Sequence, residues 1–365
     1  MTPLWTLGPL NVTPYSLMIL LGALAGTALA WRKKQVRPLL PAVILGALLF
    51  GHIMWVLFCP VNLEAAEGKG YMMLRLWEGG YTIYGALLGG ALGALIAGKL
   101  SGVKWLDTLD ALAPGACAVI FFARVGEYFT GEGIGRATEI EWMQFFPLTV
   151  WNEDYWEWNY VIWIWEALAA LVLLLVLLKR EKKALPGHQT AVFLTVLGTT
   201  QILLEQMRDD YYLRVIVFVR INQLAALATL IAVLVSLLVR GKPGKAKTAW
   251  CLAVLVLASL ADMASEFVFD KFEYVPWLYL GMSLSAAASA AMLWVWKKKK
   301  ALLPAILIVA ATAALLIGYA SRDWEESQLE PVDDLVRRLI LYGTMAVDMI
   351  CIGLAVRLNL RQELK

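Results

Sequence analysis

The 365-residue sequence contains few histidines, few cysteines and few charged residues. Its two histidines, His52 and His188, are too few for a His-rich metal site, and a Ser-His-Asp relay is not easily built from them. The four cysteines lie far apart without a Cys-x-x-Cys pair, which favours packing over redox or metal chemistry. They are Cys59, Cys117, Cys251 and Cys351. Because only 17% of the residues are charged and 60% are apolar, the composition excludes an ordinary soluble domain.

Long apolar runs dominate the sequence, and its mean hydropathy is +0.67. A helix needs roughly 20 apolar residues to cross about 30 Å of hydrocarbon. The runs therefore predict an all-α, polytopic integral membrane protein with about 11 transmembrane helices. The predicted spans are 14–31, 39–58, 81–98, 107–123, 160–178, 187–205, 219–239, 249–269, 277–296, 301–319 and 336–356.

The basic residues predict the orientation of these spans. Most of the 32 lysines and arginines fall in alternate loops, which places the N-terminus outside and the C-terminus inside by the positive-inside rule. The loops assigned to the outside are acidic, most visibly 323–334. The net charge of +3 hides this asymmetry, and it gives no indication of a nucleic-acid partner. The first 14 residues lack a basic segment, so no cleavable signal peptide is expected.

Two domains are predicted. Every glycine-rich or charged intramembrane motif lies in residues 1–240, whereas residues 241–365 follow a hinge-like Arg-Gly-Lys-Pro-Gly-Lys segment and hold additional transmembrane helices of unknown role.

The densest group of charges within an apolar region lies in the run ARVGEYFTGEGIGR, residues 123–136. It places Arg124, Glu127 and Glu132 at the end of a predicted span. Charges there are costly unless they pair with one another or with a substrate, so the run is a candidate functional site. Its glycines allow the backbone to approach a ligand closely, and glycine spacing elsewhere in the spans also suits close helix packing.

A second charged pair, Glu205 and Arg208, lies three residues apart and is predicted to share one face of a helix. A guanidinium beside glycine backbone suits a phosphate, because it offers a planar fork of N–H donors. These groups together describe a phospholipid headgroup site. Two alternatives stay open on the residues alone, namely a structural ion-pair network and a polar path for a transported solute.

The run at 123–136 resembles the signature of prolipoprotein diacylglyceryl transferases, roughly G-R-x-G-N-F-x-N-x-E followed by G-R. The matching positions are Arg124, Gly126, Tyr128, Glu132, Gly135 and Arg136. Glu127 and Thr130 stand where the family has asparagines.

Further motifs follow in the family's order. Tyr15 resembles the tyrosine that opens the family's first helix, and Tyr84 stands at the His-or-Tyr position of a glycine-rich motif that begins at Trp77. The segment from Asp110 to Pro114 resembles a D-x-x-A-P motif. Glu166 matches the end of an H-P-x-x-x-Y-E motif, with Tyr160 at the place of its histidine. Glu205 and Arg208 match R-F-x-x-E-x-x-R, in which Gln201 replaces an arginine that the family treats as essential.

The resemblance implies transfer of a diacylglyceryl group from phosphatidylglycerol to the lipobox cysteine of a prolipoprotein in the bacterial cytoplasmic membrane. Arg124 would hold the phosphate, while Glu132 and Tyr84 would order the site and assist deprotonation of the thiol. The implied partners are phosphatidylglycerol, a prolipoprotein signal peptide and membrane lipids, and no metal or organic cofactor is needed. The residues implied in substrate binding are Tyr15, Gly126, Glu127, Gly135, Glu166, Gln201, Glu205 and Arg208.

The four departures at Glu127, Thr130, Tyr160 and Gln201 leave a divergent lipid-modifying enzyme or a non-catalytic lipid-binding paralogue open. A membrane transporter or flippase-like protein is another alternative, for which Asp262, Glu266 and Asp348 would supply intramembrane charges. Six tryptophans between residues 142 and 165 are typical of an interfacial belt.

Overall fold

A computed structural model describes residues 4–7, 10–58, 70–76, 80–138, 141–181, 186–205, 208, 214–216 and 219–241. The predicted spans beyond residue 241 lie outside the described residues, and so do Trp77, Asp262, Glu266 and Asp348.

The described part is mostly helical, and five of its helices are long and apolar enough to cross a membrane. This confirms a multi-pass membrane protein. Four of them are α1 (Pro14–Trp31), α3 (Ile83–Ser101), α4 (Trp105–Thr130) and α5 (Ile162–Arg180), and the remaining span joins a 3₁₀ turn at Arg37–Leu39 to α2 (Leu40–Phe58). Two more helices follow, α6 (His188–Glu205) and α7 (Ile221–Gly241).

Polar caps and glycines set the ends of several helices. Thr13 and Ser16 form a reciprocal capping box at the start of α1, with Ser16 N donating to Thr13 Oγ1 over 3.1 Å. Thr82 caps α3 in a similar way, accepting from Gly85 N at 3.1 Å. Helix α4 ends at Thr130 and is capped by Gly131, whose φ of +75° is one that glycine adopts readily.

Close glycine contacts bring the helices together in pairs. Helix α2 packs against α3, and α1 packs against α4, which in turn contacts α5. A Cβ placed on Gly89 of α3 would fall onto the carbonyl oxygen of Gly46 in α2. A Cβ on Gly26 of α1 would lie 2.8 Å from the carbonyl oxygen of Gly115 in α4. These four glycines therefore serve backbone-to-backbone packing between membrane helices.

A small antiparallel sheet lies between α4 and α5, and the expectation of an all-α chain did not include it. Its strands are β3 (Ile134–Ala137), β4 (Thr149–Asn152) and β5 (Glu157–Val161), in the spatial order β3-β5-β4. Trp151 of β4 pairs with Trp158 of β5, so part of the aromatic segment predicted as an interfacial belt forms a hairpin. Two further hairpins pair β1 (Trp5–Leu7) with β2 (Leu10–Val12) and β6 (Arg214–Ile216) with β7 (Val219–Arg220).

The chain divides into two compact units. The first comprises residues 1–137, 144–193 and 207–213, and it contains α1 to α5 with the three-stranded sheet. The second comprises residues 138–143, 194–206 and 214–365, including most of α6 and all of α7. Within the second unit the two helices pack closely, because a Cβ on Gly198 would lie 2.9 Å from Cγ of Leu230.

Candidate functional site

The site begins at the C-terminal end of α4, where Arg124 and Glu127 lie one helical turn apart. This i,i+3 spacing places both side chains on the same face of the helix, and they form an ion pair. Both residues are buried, with 8% and 7% of their surface exposed. The helix continues through these charges to Thr130, seven residues beyond the apolar span predicted from the sequence.

Two more charged side chains complete the site. Glu166 Oε2 lies 3.0 Å from Arg124 Nε and 2.6 Å from Arg208 Nη1. Arg208 Nη2 also lies 3.4 Å from Glu127 Oε2. Each carboxylate therefore contacts both guanidinium groups. We call these four residues, Arg124, Glu127, Glu166 and Arg208, the ion-pair ring.

Glu166 is positioned by the glycine-rich turn that follows α4. The carbonyl oxygen of Gly133 accepts hydrogen bonds from Ile162 N at 2.9 Å and from Trp163 N at 3.2 Å. These N–H groups lie in the first turn of α5, where no intrahelical acceptor is available to them. Gly133 has a φ of +72°, and a Cβ on it would meet Glu127 Oε2 and Trp163 Cβ. The turn therefore holds the first turn of α5, one turn before Glu166, against Glu127.

Arg208 is positioned by the sheet. Its backbone forms an isolated antiparallel bridge with Gly135, next to the start of β3. The carbonyl oxygen of Gly135 also accepts from Nδ2 of the buried Asn159 in β5, over 3.1 Å. Gly135, which the resemblance assigned to substrate binding, is thus placed to fix the backbone that carries Arg208.

The ion-pair ring is electrically neutral and almost fully withdrawn from solvent. The side chains of Glu166 and Arg208 are each 2% exposed, and those of Arg124 and Glu127 are 10% and 9% exposed. Removing an ion from water costs several kcal/mol, which mutual attraction offsets only when geometry and hydrogen bonding are good. Hydrogen bonds from Arg124 to Glu127 and from Arg208 to both carboxylates, together with the ion pair between Arg124 and Glu166, offset this cost.

The other predicted residues of the first unit lie at different places in its helices and turns. Tyr15 in the first turn of α1 packs on Gly126, where a Cβ would lie 2.9 Å from the tyrosine ring. Glu132 is exposed, and its N–H donates to Thr130 Oγ1 at 3.1 Å in the turn after α4. Tyr84 is partly buried in the first turn of α3.

The second unit has a separate buried polar cluster. Glu205 is 1% exposed and lies 3.7 Å from Nη1 of Arg220, while Asn222 Nδ2 donates to Glu205 Oε1 over 3.2 Å. Gln201, one turn earlier on α6, is also buried. Sequence reasoning missed Arg220 because the motif that contains Glu205 ends before it.

The prediction that Glu205 and Arg208 share one helix face is wrong. Helix α6 ends at Glu205, and Arg208 lies in an extended bridge rather than on the helix. Residues three apart share a face only within a helix, so the spacing of Glu205 and Arg208 does not bring their side chains together here.

Asp110 has a structural role that the sequence did not reveal. Its carboxylate accepts from Gly187 N at 2.6 Å, Thr190 N at 2.8 Å and Thr190 Oγ1 at 2.7 Å. These donors lie at the N-terminal end of α6, so Asp110 of α4 caps that helix from a distance.

Among the described residues, no group of three or more His, Cys, Asp or Glu side chains is arranged to hold a metal ion.

Fold and site define a multi-pass membrane protein with a buried, charge-balanced polar site at the end of a glycine-bounded helix. A model of the family described as prolipoprotein diacylglyceryl transferase matches residues 3–239. The chain belongs to this family, which confirms the resemblance seen in its motifs.

Several relatives carry the name phosphatidylglycerol–prolipoprotein diacylglyceryl transferase. The protein of Paenarthrobacter aurescens is 31% identical over 276 residues, covering 67% of this chain and 83% of the relative. The protein of Tropheryma whipplei is 31% identical over 226 residues, covering 55% of this chain and 79% of the relative. The protein of Nitratidesulfovibrio vulgaris strain Hildenborough is 33% identical over 152 residues, covering 39% of this chain and 57% of the relative. The match thus spans little more than half the length of this last relative.

Proposed function

We propose that the protein transfers a diacylglyceryl group from phosphatidylglycerol to the thiol of a lipobox cysteine in a prolipoprotein. The observation that carries this proposal is the ion-pair ring, which concentrates two buried guanidinium groups beside the glycine-rich turn at the end of a membrane helix. Family membership and the names of the relatives support the same reaction.

In this reaction the sulfur of the acceptor forms a bond to the glycerol carbon of the donor, and the bond from that carbon to the phosphate oxygen breaks. Glycerol phosphate leaves with increased negative charge on its phosphate. Arg124 binds the phosphate with its planar fork of donors and stabilises the developing charge, and Arg208 adds a second cation. Glu132 is the exposed carboxylate of the glycine-rich turn after α4, and we assign it, together with Tyr84, to deprotonation of the thiol.

The remaining predicted residues bind the substrate or position the arginines. Glu166 holds both arginines in place from the first turns of α5, and Gly135 fixes the backbone of Arg208. Tyr15 and Gly126 form the α1 side of the site. On the resemblance alone, we also assign Gln201 and Glu205 to substrate binding.

The proposal includes a location and an orientation. The chain is placed in the bacterial cytoplasmic membrane with about 11 spans, the N-terminus outside and the C-terminus inside, as the basic loops predict. Residues 241–365 are proposed to contribute the additional transmembrane helices that their apolar sequence predicts. Cysteine labelling in intact cells tests this orientation. A cysteine at Glu153, in the β4–β5 hairpin, should react with an impermeant reagent, and one at Gly102, between α3 and α4, should be protected.

Purified full-length protein in detergent, mixed with phosphatidylglycerol and a lipobox peptide, tests the reaction. Mass spectrometry of the peptide should show the added diacylglyceryl group, and the product should be absent with Arg124→Ala. Glu153→Gln, a charge-neutralising change at an exposed hairpin residue, is the matched control and should leave the rate unchanged. A transporter would need a sealed compartment, so transfer in detergent also distinguishes these two classes. No product from the wild-type protein would refute the proposal.

A further inference from the structure

The ion-pair ring is balanced in charge. Its two guanidinium groups and two carboxylates contact one another, and the sum of their charges is zero. A phosphate that binds Arg124 adds one negative charge to a site that is nearly closed to water. An uncompensated buried charge is costly, so the headgroup of the donor determines whether binding leaves the site neutral.

The two carboxylates of the ring differ in how they hold the arginines. Glu166 contacts both arginines through the same oxygen, Oε2, over 3.0 and 2.6 Å. Glu127 uses separate oxygens, Oε1 for Arg124 and Oε2 for Arg208, and its contact with Arg208 is the longer one at 3.4 Å. Because these two contacts are made by different oxygens, a phosphate that takes the place of Glu127 on Arg124 displaces Oε1 and leaves Oε2 near Arg208. The displaced Oε1 is then a buried carboxylate oxygen that has lost its cation.

We propose that Glu127 is a specificity-determining residue that admits a phospholipid whose headgroup carries an ammonium group, such as phosphatidylethanolamine, as a donor. This inference rests on the proposed transferase function. The phosphate binds Arg124, and the ammonium group, which is two carbons away from the phosphate, binds Oε1 of Glu127. The broken ion pair between Arg124 and Glu127 is thus replaced by two new ion pairs. Phosphatidylglycerol is also a donor, but its uncharged glycerol headgroup supplies no cation for Oε1, so binding of its phosphate leaves the site with one net negative charge.

The reaction balances with either lipid. The acceptor sulfur bonds to the glycerol carbon, the bond from this carbon to the phosphate oxygen breaks, and the proton of the thiol ends on the released phosphate. Phosphatidylethanolamine thus gives phosphoethanolamine, and phosphatidylglycerol gives glycerol phosphate. Glu132 cannot make the same selection, because it is exposed and water compensates its charge.

A competition assay tests the inference. Full-length protein is given a lipobox peptide and equal amounts of phosphatidylethanolamine and phosphatidylglycerol whose acyl chains differ in mass, so that one spectrum reports both products. The wild-type protein should use both donors. Glu127→Gln keeps the size of the side chain and makes the ring net positive, so the ratio of ethanolamine-derived to glycerol-derived product should fall about tenfold or more.

The ratio does not depend on how much protein is folded, so a destabilised variant still gives an answer. Glu127→Asp keeps the charge and should keep the wild-type ratio, and so should Glu153→Gln. If Glu127→Gln is inactive, native mass spectrometry of its bound lipids should show the same shift toward phosphatidylglycerol. A wild-type protein that uses phosphatidylglycerol alone, or a ratio that Glu127→Gln does not change, overturns the inference while the transferase function stands. Absence of product from either lipid overturns both.

Discussion

Neutralising Glu166 should destabilise the protein far more than neutralising Glu181, a more exposed carboxylate that also contacts two cationic side chains in the described part of the chain. Glu166 lies 2.6 Å from Arg208 and 3.0 Å from Arg124. Glu181 lies 2.7 Å from Lys33 and 3.5 Å from Arg32. The two carboxylates differ in exposure, because the side chain of Glu166 is 2% exposed and that of Glu181 is 23% exposed. They therefore form a matched pair.

The two substitutions should differ in their effect on stability because one ion pair is buried and the other is more exposed. Removing one partner of a buried ion pair costs roughly 3–5 kcal/mol, because the remaining charge is left uncompensated. Glu166→Gln leaves two guanidinium groups against a single carboxylate, so we expect a loss of about 3 kcal/mol or more in the free energy of unfolding. Exposed ion pairs contribute about 0–1 kcal/mol, so Glu181→Gln should cost less than about 1 kcal/mol.

Denaturant-induced unfolding in detergent micelles, followed by the fluorescence of the tryptophans, measures both variants under one condition. Higher salt should reduce the small effect of Glu181→Gln, since exposed pairs are screened, and should hardly change the effect of Glu166→Gln. Equal losses for the two variants, or a loss below about 1 kcal/mol for Glu166→Gln, would show that the ring does not stabilise the fold as argued.

Three further predictions concern single positions. Arg124→Lys should reduce the transfer rate by about 10²–10³, because an ammonium cannot reproduce the bidentate fork, and a rate within threefold (~0.7 kcal/mol) of the wild type would contradict this role. Gly133→Ala should cost more stability than Gly131→Ala, since both positions have positive φ but only a Cβ at Gly133 meets Glu127 and Trp163; equal thermal shifts would refute this. Asp110→Ala should cost about 2 kcal/mol by removing three hydrogen bonds at the start of α6, with the transfer rate per folded molecule unchanged in the peptide assay.

Much of the membrane part could be predicted from the sequence, because span length and polar helix ends are local properties. The predicted span 14–31 coincides with α1, and the predicted start of α2 differs from the observed one by a single residue. The three-stranded sheet could not be predicted in this way. Its strands have four or five residues, and their tryptophans are equally typical of a membrane interface.

The residues of the candidate site could be predicted from the sequence, but which of them form ion pairs with one another could not. Arg124 and Glu127 are near neighbours on one helix, so their contact follows from helical spacing. Glu166 and Arg208 are separated by 42 residues, and Arg208 lies 81 residues from Glu127, so only the tertiary fold brings them together. The ring is neutral because the fold brings these separate residues together, and no single sequence motif contains all four of them.

In the proposed reaction, the same four side chains must both stabilise the folded protein and release an arginine to the donor. These demands fall on different carboxylates, since Glu166 holds both arginines through one oxygen and Glu127 can release Arg124 while it keeps Arg208. Loss of Glu166 should therefore reduce both stability and transfer, because the arginines lose their common anchor. Loss of Glu127 should reduce stability while turnover of phosphatidylglycerol rises, because the phosphate no longer competes with a carboxylate for Arg124. Unfolding and transfer measured together on Glu127→Gln and Glu166→Gln check this contrast, and a fall of both quantities in both variants would mean that the two carboxylates act as a single structural unit.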